Sequence, residues 1–118
     1  MDREVRQSDP RVVTALFDLA AWFLERTNRF PKNWRVTLGD RMDTVVLEMV
    51  MLAERARSRS NKKEQLLQLS EHLDLLRILT RLAVRLECLQ GRQYEYVSER
   101  LDGIGKQIGG WIRYIKAK

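Results

Sequence analysis

The sequence contains few residues that interrupt regular structure or cross-link a chain. It has two prolines, six glycines, one cysteine and one histidine among 118 residues. One cysteine excludes an internal disulfide, and a lone histidine without cysteine partners indicates no zinc site. No run of about 18 apolar residues occurs, so the sequence predicts no membrane-spanning helix. Few prolines and glycines predict a small number of long elements.

The composition is typical of a single globular domain, which we expect to cover residues 1–118. Hydrophobic residues make up 44% and charged residues 32%, which argues against a disordered chain. The net charge of +6 favours a polyanionic partner such as nucleic acid, with a membrane surface well behind. The first ten residues are charged and lack an apolar signal region, so we expect a cytoplasmic protein.

Apolar residues recur at helical spacing in four segments, and none alternates with the period of a strand. The segments predict helices at about 10–28, 38–59, 62–90 and 93–116. Pro10 suits the first turn of the first helix, and Thr37 with Asp40 resembles a capping box before the second. We expect Gly91 to end the third helix. The predicted fold class is all-α, an up-down antiparallel four-helix bundle.

The apolar residues of each segment predict which helix face is buried. Those of the third segment spread over about 240° of the helix circumference, which is wider than a surface helix normally shows. We interpret the excess as a subunit interface and expect a homo-oligomer. The predicted buried faces of the other segments are Val13, Leu16, Phe17, Ala20, Phe23 and Leu24 in the first, Leu38, Met42, Val45, Val46, Met49, Leu52, Ala53 and Ala56 in the second, and Tyr94, Val97, Leu101, Ile104, Ile108, Trp111 and Ile115 in the fourth.

Four of the six glycines lie in the stretch GIGKQIGGW, residues 103–111. The spacing is not that of a dinucleotide-binding fingerprint, because Ile108 stands where a third glycine is needed. It is not that of a P-loop either, because Gln107 follows the lysine where serine or threonine is needed. The apolar seam continues through this stretch, so the glycines fall inside a helix.

Each glycine inside a helix costs about 1 kcal/mol relative to alanine, so we expect packing to compensate. Gly105 and Gly109 flank the apolar seam and predict a close approach of a neighbouring helix. Gly103 and Gly110 lie on another face and predict contact with a second subunit or a ligand. Together with Trp111, these glycines form the predicted packing and oligomerisation set. The alternative is a locally weakened helix of no consequence.

Three groups of basic residues are candidates for binding nucleic acid or a partner protein. Arg77, Arg81 and Arg85 recur every four residues and predict a row of guanidinium groups, each able to donate two hydrogen bonds to a phosphate. The other groups lie in the turn before the third helix and near the C-terminus: Arg55, Arg57, Arg59, Lys62 and Lys63, and Lys106, Arg113 and Lys116. The alternative for each group is an ordinary solvated surface.

The sequence predicts no catalytic residue, metal or cofactor. Cys88 lies in a leucine-rich segment, where a buried, inert thiol is expected. His72 has no ligand partners, the serines lack a nucleophile context, and no two carboxylates plainly converge. We therefore expect a protein that is not an enzyme.

Three stretches, in order, resemble the accessory variability determinant (Avd) proteins of diversity-generating retroelements. They cover residues 30–50, 73–89 and 93–113. The matching positions are Phe30, Pro31, Lys32, Arg35, Leu38, Gly39 and Arg41, then Leu76, Arg77, Arg81 and Leu82, then Gly105, Gly109, Gly110 and Trp111. The same resemblance extends to the wider bacterial four-helix bundle proteins that include those encoded by 23S rRNA intervening sequences.

The resemblance to Avd proteins implies a basic, barrel-like homopentamer without catalytic activity. It further implies binding to a reverse transcriptase and to nucleic acid, either template RNA or cDNA, in support of mutagenic retrohoming. The alternative is a structural four-helix bundle of the rRNA intervening-sequence type with no polymerase partner.

Overall fold

The computed structural model describes residues 10–58 and 62–117. Its four long helices are α1 (Pro10–Thr27), α2 (Asp40–Ser58), α3 (Lys62–Arg85) and α4 (Gly91–Ala117). A single helical turn, Lys32–Trp34, and a π-helical stretch, Arg35–Gly39, connect α1 to α2. Within the described ranges there is no β-strand, so the predicted all-helical class is confirmed.

Each helix packs antiparallel against the one before it, and α4 returns to α1 along a thinner seam. The molecule measures 46 × 23 × 21 Å, as expected for an up-down bundle of helices of this length. The start of α1, the end of α2, the start of α3 and the end of α4 therefore lie at one end of the bundle. The α1–α2 connection and the α3–α4 turn lie at the other end.

The core consists of one apolar face from each helix. All eight residues of the predicted second face are buried, and so is the centre of the fourth seam from Val97 to Trp111. The prediction for α1 was wrong at its edge, because Phe17 and Leu24 are exposed while Val12 and Leu19 are buried in their place. The buried stripe of α1 is thus rotated slightly from the predicted one, since α2 and α4 cover different flanks.

The start of α2 differs from the predicted capping box. Helical backbone begins at Lys32 and continues through the π-helical stretch without a break before Asp40. The Thr37 hydroxyl donates back to the carbonyl oxygen of Trp34 at 3.4 Å, so Thr37 does not cap α2. Gly39 lies close under Thr27 and Phe30, where an ideal Cβ would be 3.5–3.6 Å from their side chains.

The end of α3 also differs from the prediction, which placed it at Gln90. The helix ends at Arg85, and Glu87 adopts a left-handed conformation with φ 63°. The N–H of Cys88 donates to the carbonyl oxygen of Ala83 at 2.8 Å and that of Glu87 to Val84 at 2.9 Å. This pair of hydrogen bonds is a Schellman motif, which normally has glycine at the left-handed position.

Gly91 begins α4 instead of ending α3. The Gln93 side chain accepts a hydrogen bond from the N–H of Gln90 at 2.9 Å, the reciprocal half of a capping box. Between the two helices Leu89 is buried, which fixes the direction of the turn.

Candidate nucleic-acid interface

The arginine row of α3 does not present three equivalent side chains. Arg77 is half-buried, and its Nη1 lies 2.7 Å from Asp102 Oδ1 on α4. Its Nη2 also donates to the carbonyl oxygen of Leu101 at 3.3 Å. Arg77 therefore joins α3 to α4, and part of its donor capacity is already used.

Gly105 makes room for this guanidinium group. An ideal Cβ on Gly105 would lie 2.8 Å from Arg77 Nη2 and 3.3 Å from Leu73 Cδ2. The predicted close approach of a neighbouring helix thus occurs at Gly105, and the neighbour is α3. At Gly109 the nearest atom is Arg113 Nη1 of the same helix, at 3.5 Å, so no helix approaches closely there.

Arg81 and Arg85 are exposed and remain available for a ligand. Arg81 lines a polar groove between α3 and α4 together with Arg77, Tyr94 and Ser98, but Asp74 and Asp102 line it as well. The two carboxylates balance the two guanidinium groups, so this groove is less positive than the arginine spacing alone predicts.

The structure brings the other two predicted basic groups together. Because consecutive helices are antiparallel, the end of α4 lies at the same end of the bundle as the end of α2, the start of α3 and the start of α1. We call this region the basic end; its described basic residues are Arg11, Arg55, Arg57, Lys62, Lys63, Arg113 and Lys116, with Glu54 and Glu64 as the nearby acids. Arg59 lies outside the described residues, and Lys106 is exposed further along α4.

Some cations at the basic end have structural contacts. Lys62 Nζ donates to the carbonyl oxygens of Ala56 and Arg57 at 2.9 and 3.1 Å and so caps the C-terminus of α2. Arg57 Nε lies 4.0 Å from Glu54 Oε1, one turn away on the exposed surface. Arg55, Lys63, Arg113 and Lys116 are exposed, and they make the basic end a wide positive surface.

The remaining members of the predicted packing set lie in different environments. Trp111 is buried in the core. Around the ideal Cβ of Gly103 no described atom lies within 4 Å, and at Gly110 the nearest is Arg113 Nη2 at 3.8 Å. Both of these glycines therefore face space that the described part of the chain leaves open.

Reasoning from the sequence missed a second groove, between α1 and α4. The Trp22 and Tyr96 rings meet across it with centroids 5.9 Å apart. Arg26 lies over the Trp22 ring at 5.8 Å and Arg100 over the Tyr96 ring at 4.9 Å. Each arginine follows its aromatic residue by four positions, and that shared spacing was the signal available in the sequence.

The described part of the chain contains no group of three or more residues able to hold a metal ion. Cys88 is half-buried, and burial raises the pKa of its thiol, which disfavours the reactive thiolate. No helix among the described residues is long and apolar enough to cross a membrane.

The family comparison agrees with this architecture. Residues 12–115 match the model of the bAvd-like family, a range that includes nearly all of the four helices. The chain belongs to the bAvd-like family. No curated protein and no solved structure matches it. The resemblance to Avd proteins that the sequence indicated is thereby confirmed at the level of the family.

Proposed function

We propose that this bAvd-like chain is a non-enzymatic accessory protein of a diversity-generating retroelement. It acts in the cytoplasm, binds the reverse transcriptase and nucleic acid, and supports mutagenic retrohoming. The observation that carries the proposal is the family match over residues 12–115. The chain acts as a scaffold that holds template RNA or cDNA near the polymerase.

The charge distribution supports the nucleic-acid part of the proposal. The described residues of the basic end include cations from all four helices, with Glu54 and Glu64 as the nearby acids. Exposed lysine and arginine side chains attract phosphates and release counterions when they bind. Arg81 and Arg85 extend the set of phosphate contacts along α3 toward the opposite end.

The apolar surface of α3 supports assembly into a barrel-like homopentamer. Leu67, Ile78 and Leu82 are between 44% and 52% exposed on one chain. Exposed large apolar side chains on one helix face support a protein–protein interface at that face. The subunit number comes from the resemblance to Avd proteins.

Salt-dependent binding tests the nucleic-acid part. We would titrate labelled structured RNA and single-stranded DNA with the wild type, with R77A/R81A/R85A, and with R55A/K63A/R113A/K116A. We expect both variants to bind more weakly and to show a flatter dependence of log K on log salt, by about 0.7 per lost single-strand contact. Unchanged affinity and salt slope in both variants would rule out these residues as phosphate ligands.

The double variant R81A/R85A separates ligand binding from structure at Arg77. Because Arg77 is paired with Asp102, we expect the double variant to lose nearly as much affinity as the triple variant. The polymerase part is tested by co-purification of the retroelement reverse transcriptase with tagged wild-type chain. A chain that never retains the polymerase, although it is folded, would favour a structural bundle of the rRNA intervening-sequence type.

A further inference from the structure

The groove between α1 and α4 is open to solvent along its length and has an apolar floor. Leu19 and Ile104 form the floor and are each 3% exposed. Ala15 on α1 and Gly103 on α4 also line the groove and keep it wide, since neither has a side chain beyond a methyl group. From Tyr96 to Gln107, the outermost lining residues of α4, the helix rises about 16 Å.

Two carboxylates line this groove from opposite sides, Asp18 on α1 and Glu99 on α4. Neither forms an ion pair with another residue of the described chain. The cation among the lining residues, Arg100, lies over the Tyr96 ring. The lining residues of the groove thus include two carboxylates and one guanidinium group, although the chain as a whole carries a net +6.

A buried acceptor at one end of the groove also has no partner. Gln107 Oε1 is shielded from solvent, and no donor of the described chain reaches it. A buried polar atom without a hydrogen bond costs about 1–3 kcal/mol. Because Gln107 Oε1 is shielded, the acceptors that an occupant of the groove can reach are the exposed carboxylates of Asp18 and Glu99. Arg26 Nε, a donor beside the groove, is likewise buried without a partner.

These acceptors define the chemistry of the occupant. A lysine ammonium group offers three donors and an arginine guanidinium five, and neither accepts a hydrogen bond. Phosphates are disfavoured because Asp18 and Glu99 repel them. The Trp22 and Tyr96 rings, with Tyr96 46% exposed, offer an apolar surface one turn away from the two carboxylates.

We propose that the α1–α4 groove is a docking site for a segment of a partner protein that presents a lysine or arginine next to an apolar side chain. The cation lies between Asp18 and Glu99, and the apolar side chain packs on Leu19 against the Trp22–Tyr96 pair. The proposal rests on the groove itself and does not depend on nucleic-acid binding by the basic end.

Selection from a displayed library of random peptides of about nine residues, long enough to cross the groove, tests this proposal. We expect the selected peptides to be enriched in lysine or arginine beside leucine, phenylalanine or tryptophan. The best peptide is then labelled and titrated with wild type, D18N/E99Q and E48Q/E71Q. Glu48 and Glu71 are exposed on α2 and α3, so the last variant changes the charge equally outside the groove.

We expect D18N/E99Q to weaken peptide binding at least about tenfold and E48Q/E71Q to stay within about twofold of wild type. Gly103→Phe places a ring in the groove from a position where an ideal Cβ meets no described atom within 4 Å, and it should block the peptide while helix content is retained. Nucleic-acid affinity should not fall in D18N/E99Q, which keeps this test separate from that of the proposed function.

Three results would overturn the proposal. The first is a selection without enrichment of cations, or equal binding of the best peptide by D18N/E99Q. The second is displacement of the peptide by spermidine at equal concentration, which would make a free polyamine the occupant. The third is a changed solution mass of D18N/E99Q, which would make the groove an interface between copies of this chain.

Discussion

Glu87 is the only non-glycine residue of the described chain with a positive φ, at 63°. It occupies the left-handed position of the Schellman motif that ends α3, where glycine is usual because a Cβ is disfavoured there. The buried Leu89 holds the turn in place, so the local strain persists. A single substitution at this position can relieve the strain and so raise the free energy of unfolding.

We expect Glu87→Gly to stabilise the chain by about 0.5–1 kcal/mol. Glycine removes the steric cost of a Cβ at the left-handed position, and this gain exceeds the free-energy cost of the greater conformational entropy that glycine gives the unfolded chain. Urea unfolding followed by circular dichroism measures the change. Glu87→Ala is the matched control, since it removes the carboxylate and keeps the Cβ. Equal stabilisation by both variants would assign the effect to charge and contradict the strain argument.

Asp43 is a second residue whose environment the structure explains. The Thr27 hydroxyl, buried in the core, donates to Asp43 Oδ1 at 2.6 Å. Burial raises the pKa of Asp43 above its ordinary value, the Thr27 hydrogen bond lowers it, and the Asp40 carboxylate raises it further. The folded chain thus holds this proton to a higher pH than the unfolded chain does.

The stability that this group contributes is present below the ordinary carboxyl pKa and is lost as the pH rises through the raised value. Asp43→Asn keeps an acceptor for Thr27 and removes the titration. We therefore expect D43N to gain stability relative to wild type as the pH rises from about 3 to about 7, measured by urea unfolding at each pH. Glu71→Gln, at an exposed site on α3, should show no such trend, and a pH-independent difference for D43N would contradict the explanation.

At the scale of elements, α4 has two different kinds of glycine. Gly105 leaves the space that the Arg77 guanidinium group and Leu73 occupy, whereas Gly103 faces open space. Both weaken the helix, but only Gly105 allows a contact between helices within the chain. The Arg77–Asp102 pair is largely exposed and is worth no more than about 1 kcal/mol, so its role is to orient α3 on α4.

We expect Gly103→Ala to stabilise the chain by about 1 kcal/mol through helix propensity. Gly105→Ala should gain less, because its Cβ displaces Arg77 from Asp102 and crowds Leu73. Thermal and urea unfolding of the two variants measure the difference. In an Arg77→Ala background we expect the two substitutions to change the free energy of unfolding by more similar amounts. Equal stabilisation by both substitutions in the wild-type background would show that the close approach at Gly105 has no energetic consequence.

At the scale of the whole molecule, one chain leaves apolar surface on α3 uncovered while its core is complete. Leu67, Ile78 and Leu82 lie on the outer face of the helix, away from the buried positions that contact α2 and α4. Gly110 opens a further patch on α4. Both surfaces are accounted for if copies of the chain assemble.

We expect wild type to have a solution mass of a multiple of 14.0 kDa, five-fold for the proposed pentamer. Ile78→Glu with Leu82→Glu should reduce it to that of a monomer without loss of helix content, by light scattering and circular dichroism. Thr14→Glu with Thr44→Glu, at exposed polar sites, is the control. Gly110→Leu should also disrupt assembly, since the nearest described atom to an ideal Cβ at Gly110 is Arg113 Nη2 at 3.8 Å, an ordinary contact. A monomeric wild type would refute the interface.

The fold followed from the sequence because long amphipathic segments with few breakers allow little besides a helical bundle. The buried faces of α2 and α4 were predicted correctly, since apolar spacing at every third or fourth residue determines the face directly. The family also followed from the order of three motifs. These properties depend on short-range sequence patterns that hold whatever the neighbouring helices do.

Other properties were decided by tertiary structure. The left-handed Glu87 ends α3 because the buried Leu89 requires a turn there, and no glycine marks the position. Arg77 pairs with Asp102 because antiparallel packing brings them to the same level, 25 positions apart in the chain. Helix order likewise brought the end of α2 and the start of α3 to the same end of the bundle as the end of α4, and it placed Asp18, Glu99 and Gln107 along one groove. Spacing within one helix cannot predict these neighbours, because it contains no information about which side chains of other helices lie across from it.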